Sequence, residues 1–236
     1  MPLDSIHNIR SFFSDYWLGS VLSAKKGIGP RLAAAQSRKK LWRLNQLHDR
    51  VDAVEPPDIA TFREKFARPL LADIFGFRLL EADDARLRLI SSDIEDGAAP
   101  LAAVLLCPGQ EDLPTRQTRQ GLERALLDHD LAYGFILSPG TLRLIRRPGD
   151  GAAKACFDFS IATAVETDDI ESLTVAYRVL SAENFVRVDG AAAPIELLEE
   201  ESRKHSAGVS EDLKEAVFVS AELVIRGFEQ EHGQAV

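Results

Sequence analysis

Three carboxylates, Glu64, Asp93 and Asp96, are the side chains best suited by type and neighbourhood to hold a divalent cation. Mg²⁺ takes oxygen ligands, and one arrangement for phosphodiester hydrolysis sets acids on adjacent strands with a lysine two residues past the second acid to orient water or stabilise charge. Asp93 or Asp96 would supply the first acid, and Glu64, on a preceding helix, an accessory one. The second acid and the lysine belong on the next strand, but that stretch reads Val104-Leu105-Leu106-Cys107, and no lysine falls between Lys65 and Lys154. A metal would keep too few ligands there, so this spacing predicts a silent site. Other chemistries find less support. The five histidines, His7, His48, His129, His205 and His232, are scattered without zinc-type spacing. No phosphate-cradling Gly-rich loop precedes a helix, and no G-x-S-x-G occurs. Cys107 and Cys156 stand in apolar, strand-like stretches and read as buried thiols.

A second kind of chemistry is phosphate contact. Residues 1–50 hold nine Lys or Arg against three Asp, +6 in a chain whose net charge is −9, leaving −15 for the remainder. Such polarity points to a basic face that meets a polyanion, or to a basic segment packed on the chain's own acidic body. Arg38, Lys39, Lys40 and Arg43 cluster on a predicted helix, and Arg143, Arg146 and Arg147 form a second group on a predicted strand and its end. Phe13, Tyr16 and Trp17 recur at helical spacing near the N-terminus, a sticky face for the chain's own domain or for a partner.

The elements that must position these groups follow from periodicity. Residues 121–147 read as helix, buried strand, Ser138-Pro139-Gly140 turn and return strand. Residues 31–53 are strong helix formers with a Leu41, Leu44, Leu47, Val51 stripe. After Pro56-Pro57, Asp58 can cap a helix whose buried face is Ile59, Phe62, Phe66, Leu70 and Ile74, with Pro69 dividing it. A hairpin follows over 77–90, then the fully apolar run Leu101–Cys107, and a strand over 156–162. From Asp168 the chain is predicted helical, with the last helix opening at Ser210. No apolar run approaches the roughly 20 residues of a membrane span, and the N-terminus lacks signal-peptide order, which predicts a cytoplasmic protein without a membrane partner.

The helix–hairpin–strand–helix–strand order from Asp58 to Leu137 suits a degenerate PD-(D/E)xK nuclease-like fold, an α/β (α+β) mixed sheet flanked by helices with helical segments at either end. The stretches SFFSDYWLGSVL, KFARPLLADIFGF, LAYGFILSPGTLRLIRR and GVSEDLKEAVFVSAELVIRGF together resemble the N-terminal region of large bacterial restriction–modification proteins, type IIG and related phage-defence adenine-specific DNA methyltransferases. In that family the segment like Tyr133–Arg147 usually reads Tyr-Gly, two hydrophobics and Thr-Asn-Gly, followed by Trp-Arg-Leu-Tyr. This chain keeps Tyr133-Gly134 and Gly140, has Ser-Pro for Thr-Asn and lacks the Trp. The resemblance implies a basic helical segment over 1–55, a nuclease-like domain over 56–165 and a helical connector over 166–236. It implies duplex DNA and a methyltransferase domain or other defence subunits as partners. S-adenosylmethionine and Mg²⁺ are implied for the wider family only, since no cofactor motif falls in these residues. Nuclease activity does not carry over, because Leu105 and Cys107 stand where its acid and lysine belong.

Overall fold

Seven strands form one mixed sheet: β1 (Ile6–Ile9), β2 (Phe77–Leu79), β3 (Leu87–Ser92), β4 (Ala102–Leu106), β5 (Tyr133–Leu137), β6 (Thr141–Arg146) and β7 (Cys156–Ser160). The computed structural model describes residues 3–9, 11–19, 29–52, 57–80, 86–92, 99–109, 116–147, 149, 155–188 and 190–232. Strand order is β1-β7-β6-β5-β4-β3-β2, and the β4–β5 pair is parallel while all other neighbours run antiparallel. A parallel pair needs a crossover, and α4 (Arg116–Asp128) lies between the two strands in sequence and packs on both. Every residue of β4 and β5 is buried, as their unbroken apolar runs require of strands covered on both faces.

The two faces are covered unequally. On one, Ala103, Leu105, Ile136, Ile145 and Cys156 meet Leu122 and Leu126 of α4. Gly134 permits this approach, since a Cβ there would stand 3.2–3.3 Å from the Leu126 and Leu122 methyls. On the other, Val104, Leu106, Phe135, Leu144, Phe157 and Phe159 join a much larger core. Its cover comprises α1 (Asp15–Trp17), α2 (Ala34–Asp52), α5 (Ile161–Glu166), α6 (Ile170–Leu180), the start of α7 (Pro194–His232) and α3, which opens at Ile59–Phe62. Asp58 caps α3 through the Thr61 amide at 2.8 Å. Pro69 has no N–H to contribute, and the helix widens around it into π turns, Arg63–Ala67 and Leu70–Ile74, before Gly76 ends it at φ 76°.

Three expectations change. Phe13 and Leu44 from the first span, Phe135 from the second, and Leu173 and Leu198 from the third share one buried cluster, so the boundaries at 55/56 and 165/166 do not divide the core. Residues 6–9, expected within a helical segment, form an edge strand paired with β7, Ile6 opposite Phe159 and Ile9 opposite Cys156. The last helix does not open at Ser210; α7 runs unbroken for 39 residues. Ile195 and Leu198 bury its first turns, whereas Leu213, Val217, Phe218, Leu223 and Val224 further along are exposed.

Asp169 joins the N-terminal edge to the helical layer. As N-cap of α6 it accepts from the Ser172 amide at 2.9 Å, and its other oxygen accepts from the Ser5 hydroxyl at 2.9 Å. Burial pushes this carboxyl up, but the bonds from Ser172 and Ser5 outweigh it and hold the pKa below the usual value. A depressed folded-state pKa stabilises the fold above the unfolded value, and that contribution disappears as pH falls through the folded one. Asp169→Ala is therefore expected to cost about 1–2 kcal/mol at pH 7. The gap from the parent should narrow as pH drops below about 4. Urea denaturation at pH 7 and pH 3 measures both, and an equal gap at the two pH values would contradict the linkage.

Candidate nucleic-acid interface

Glu64, the accessory acid expected from the sequence, stands among arginines. Glu64 lies on the first π turn of α3 and lines a cavity of about 60 Å³ with Arg63, Arg68, Leu79, Leu80 and Arg88. Its two oxygens accept from Arg63 Nε at 2.8 Å and Arg68 Nε at 2.9 Å. Arg68, with Arg63 beside it, holds the Glu64 carboxyl below the usual range. Arg88 on β3 is paired in register with Val104 on β4, and Val104 and Leu106 both point into the larger core. The side chains of the central strand that share Glu64's side of the sheet are thus apolar, and the strand beside them presents a guanidinium. Asp93 and Asp96 lie outside the described residues. Among the described residues no group of three His, Cys, Asp or Glu could hold a metal ion.

The predicted phosphate contacts divide sharply. Lys40 donates from Nζ to the Asp73 and Ile74 carbonyls at 2.8 and 2.7 Å, closing the C-terminal end of α3, and lies 4.8 Å from the centre of the Tyr177 ring. Burial lowers its pKa, against the opposing pull of Asp73 and Glu183. Arg43 donates to Asp73 at 2.8 Å. Arg143 makes a bidentate pair with the buried Asp158 at 2.8 and 2.7 Å. Arg146 binds Glu199 at 2.8 and 2.5 Å and stacks over Phe12, joining β6 to α7. Arg147 reaches Asp130 at 2.5 Å. These five cations are engaged within the chain. Arg38 and Lys39 are exposed on α2, and neither forms a hydrogen bond or ion pair among the described residues.

The aromatic stripe divides too. Phe13 and Trp17 are fully inside, stacked at 5.4 Å with Phe13 edge-on to Phe157 at 5.7 Å, so the three aromatics do not make one surface. Tyr16 is 62% exposed and stacks on His205. The residue that sequence reasoning missed is Trp42, also 62% exposed, one helical turn past Arg38 and Lys39. Its signal was present: Trp42 falls off the Leu41, Leu44, Leu47, Val51 stripe, all four of which are buried. A groove of about 720 Å³ between the start of β5 and the start of α7 is lined by Arg147 and Arg187, but Asp130 and Glu196 match them one to one. Cys107 and Cys156 are buried thiols, as their strand contexts predict.

No family model, no curated protein and no solved structure matches this chain. Among the described residues no helix is long and apolar enough to cross a membrane.

The division of the cations is testable. Asp158→Ala leaves a guanidinium without its carboxylate on a mostly covered sheet face and is expected to lower stability by about 3 kcal/mol in urea denaturation. Arg38→Ala and Lys39→Ala are expected to stay within about 0.5 kcal/mol of the parent.

Proposed function

We propose that the chain is a catalytically silent, nuclease-like domain that binds duplex DNA through sequence-independent phosphate contacts, in a bacterial restriction–modification or phage-defence adenine-methyltransferase system. The observation that carries DNA binding is the outward face of α2, where Arg38 and Lys39 stand exposed and unengaged while the other predicted cations are spent on the chain's own groups. The nuclease-like assignment is supported by the layout of α3, the β2-β3-β4 meander, α4 and a β5 that runs parallel to β4. Silence is supported by Leu105 and Cys107, buried against α4 where the acid and lysine would stand, and by the arginines around Glu64. The sequence resemblance alone supports the defence setting, the methyltransferase partner and the cytoplasmic location.

Two phosphate contacts should give a slope of log K against log salt concentration of about −2. Reversing both charges, Arg38→Glu with Lys39→Glu, is expected to remove most of that slope, measured by fluorescence anisotropy on a duplex between about 50 and 200 mM salt. Absence of binding at low salt, or a slope untouched by the reversal, would overturn the reading. Incubation of plasmid with Mg²⁺ is expected to leave it uncut.

A second reading, a protein–protein module, is favoured by the exposed apolar stretch of α7 that includes Leu213, Val217 and Phe218. Retention of a methyltransferase subunit without DNA, abolished by Leu213→Glu with Val217→Glu, would support it over DNA binding.

A further inference from the structure

We propose that the α2 face distinguishes unpaired from paired DNA: Trp42 stacks on an exposed base while Arg38 and Lys39 hold the flanking phosphates of that strand. The inference rests on the DNA-binding reading above and adds the form of DNA recognised.

Helical geometry groups the three side chains. Residues three and four apart are neighbours on a helix surface, so Arg38 and Lys39 flank Trp42 from the turn before it. Helical side chains lean back over that preceding turn, which directs the indole towards the two cations. The surface there is low, because Ala35 one turn further back is exposed and small. Neither cation lies over the Trp42 ring. Among the described residues the cation–ring contacts are Lys40 on Tyr177 and Arg146 on Phe12. The indole face is therefore open to a flat partner, and the two charges stay available beside it.

The chemistry selects that partner. An indole more than half exposed forgoes burial that the chain gives to its other tryptophan, Trp17, at 0% exposure. A base offers a π face of matching shape, and such stacking contributes about 1–3 kcal/mol per base without regard to sequence. In a duplex those faces are covered by neighbouring base pairs, leaving base edges and phosphates to contact. Trp42 thus gains only from a base that is unstacked, whereas Arg38 and Lys39 serve either form.

The chain's two tryptophans make the test direct, since Trp17 is sealed in the core and Trp42 reports on the α2 face. The intact chain would be titrated at low salt with an oligothymidylate of about twenty nucleotides and with a duplex of the same length, reading tryptophan emission and anisotropy. Expected are quenching of the exposed tryptophan by the single strand, and a loss of about five- to a hundredfold in single-strand affinity in Trp42→Ala. The duplex should change less than about twofold, and Trp42→Phe should recover part of the loss. If Trp42→Ala weakens neither form, or both equally, the stacking role is overturned while the DNA-binding reading stands. If neither nucleic acid binds the parent chain, both fall. Melting of the variants monitored by circular dichroism separates either outcome from unfolding.

Discussion

The parallel pairing of β4 with β5, buried on both faces, is the constraint from which the rest of the molecule follows. Two strands that run the same way cannot be joined by a tight turn, so the chain must leave the sheet and cross a face before returning. Placing α4 on that route seals one face, with Leu122 and Leu126 over Leu105 and Ile136. The other face then needs several helices to hide the side chains of Val104, Leu106, Phe135 and Leu137. Everything on that side, from the π turns around Pro69 to the first turns of α7, is arranged to cover it.

This burial also bears on which side chains the centre of the sheet can carry. A carboxylate at Leu105 and an ammonium at Cys107 would have to be desolvated beneath Leu122 and Leu126 of α4, which is tolerable only with a metal or a substrate in place. With apolar side chains there, the fold needs neither. Glu64 is turned to structural use between Arg63 and Arg68, where it secures a helix already widened by Pro69.

The cations show the same economy. Arg143 balances Asp158 across neighbouring strands, Arg146 ties β6 to Glu199 of α7, and Lys40 satisfies carbonyls that the end of α3 leaves open. Burial raises the Glu199 carboxyl against the pull of Arg146 and Tyr133, so this joint carries a desolvation cost that its geometry must offset. Outward on the first half of α2 stand Arg38 and Lys39 with Trp42, facing away from the layer that the helix itself covers. A functional surface on this molecule is defined by what the fold does not consume.

Sequence by itself determined the elements whose signals are local. The apolar run at β4, the helix–strand–turn–strand unit ending at Arg146, the α2 stripe, the Asp58 cap and the disturbance at Pro69 all follow from periodicity or backbone chemistry over a few residues. The apolar character of the central strand was legible in the same way, because it is a matter of residue type. Only tertiary structure decided which charges are spent, because each depends on a partner distant in the chain: Arg43 with Asp73, Arg146 with Glu199, Ser5 with Asp169. It placed Phe13 and Trp17 inside while leaving Trp42 outside, and it drew residues 6–9 onto β7. Helical spacing marks an apolar face but does not say what covers it. A cation cluster likewise reads the same in sequence whether it meets solvent, a polyanion or the chain's own carboxylates.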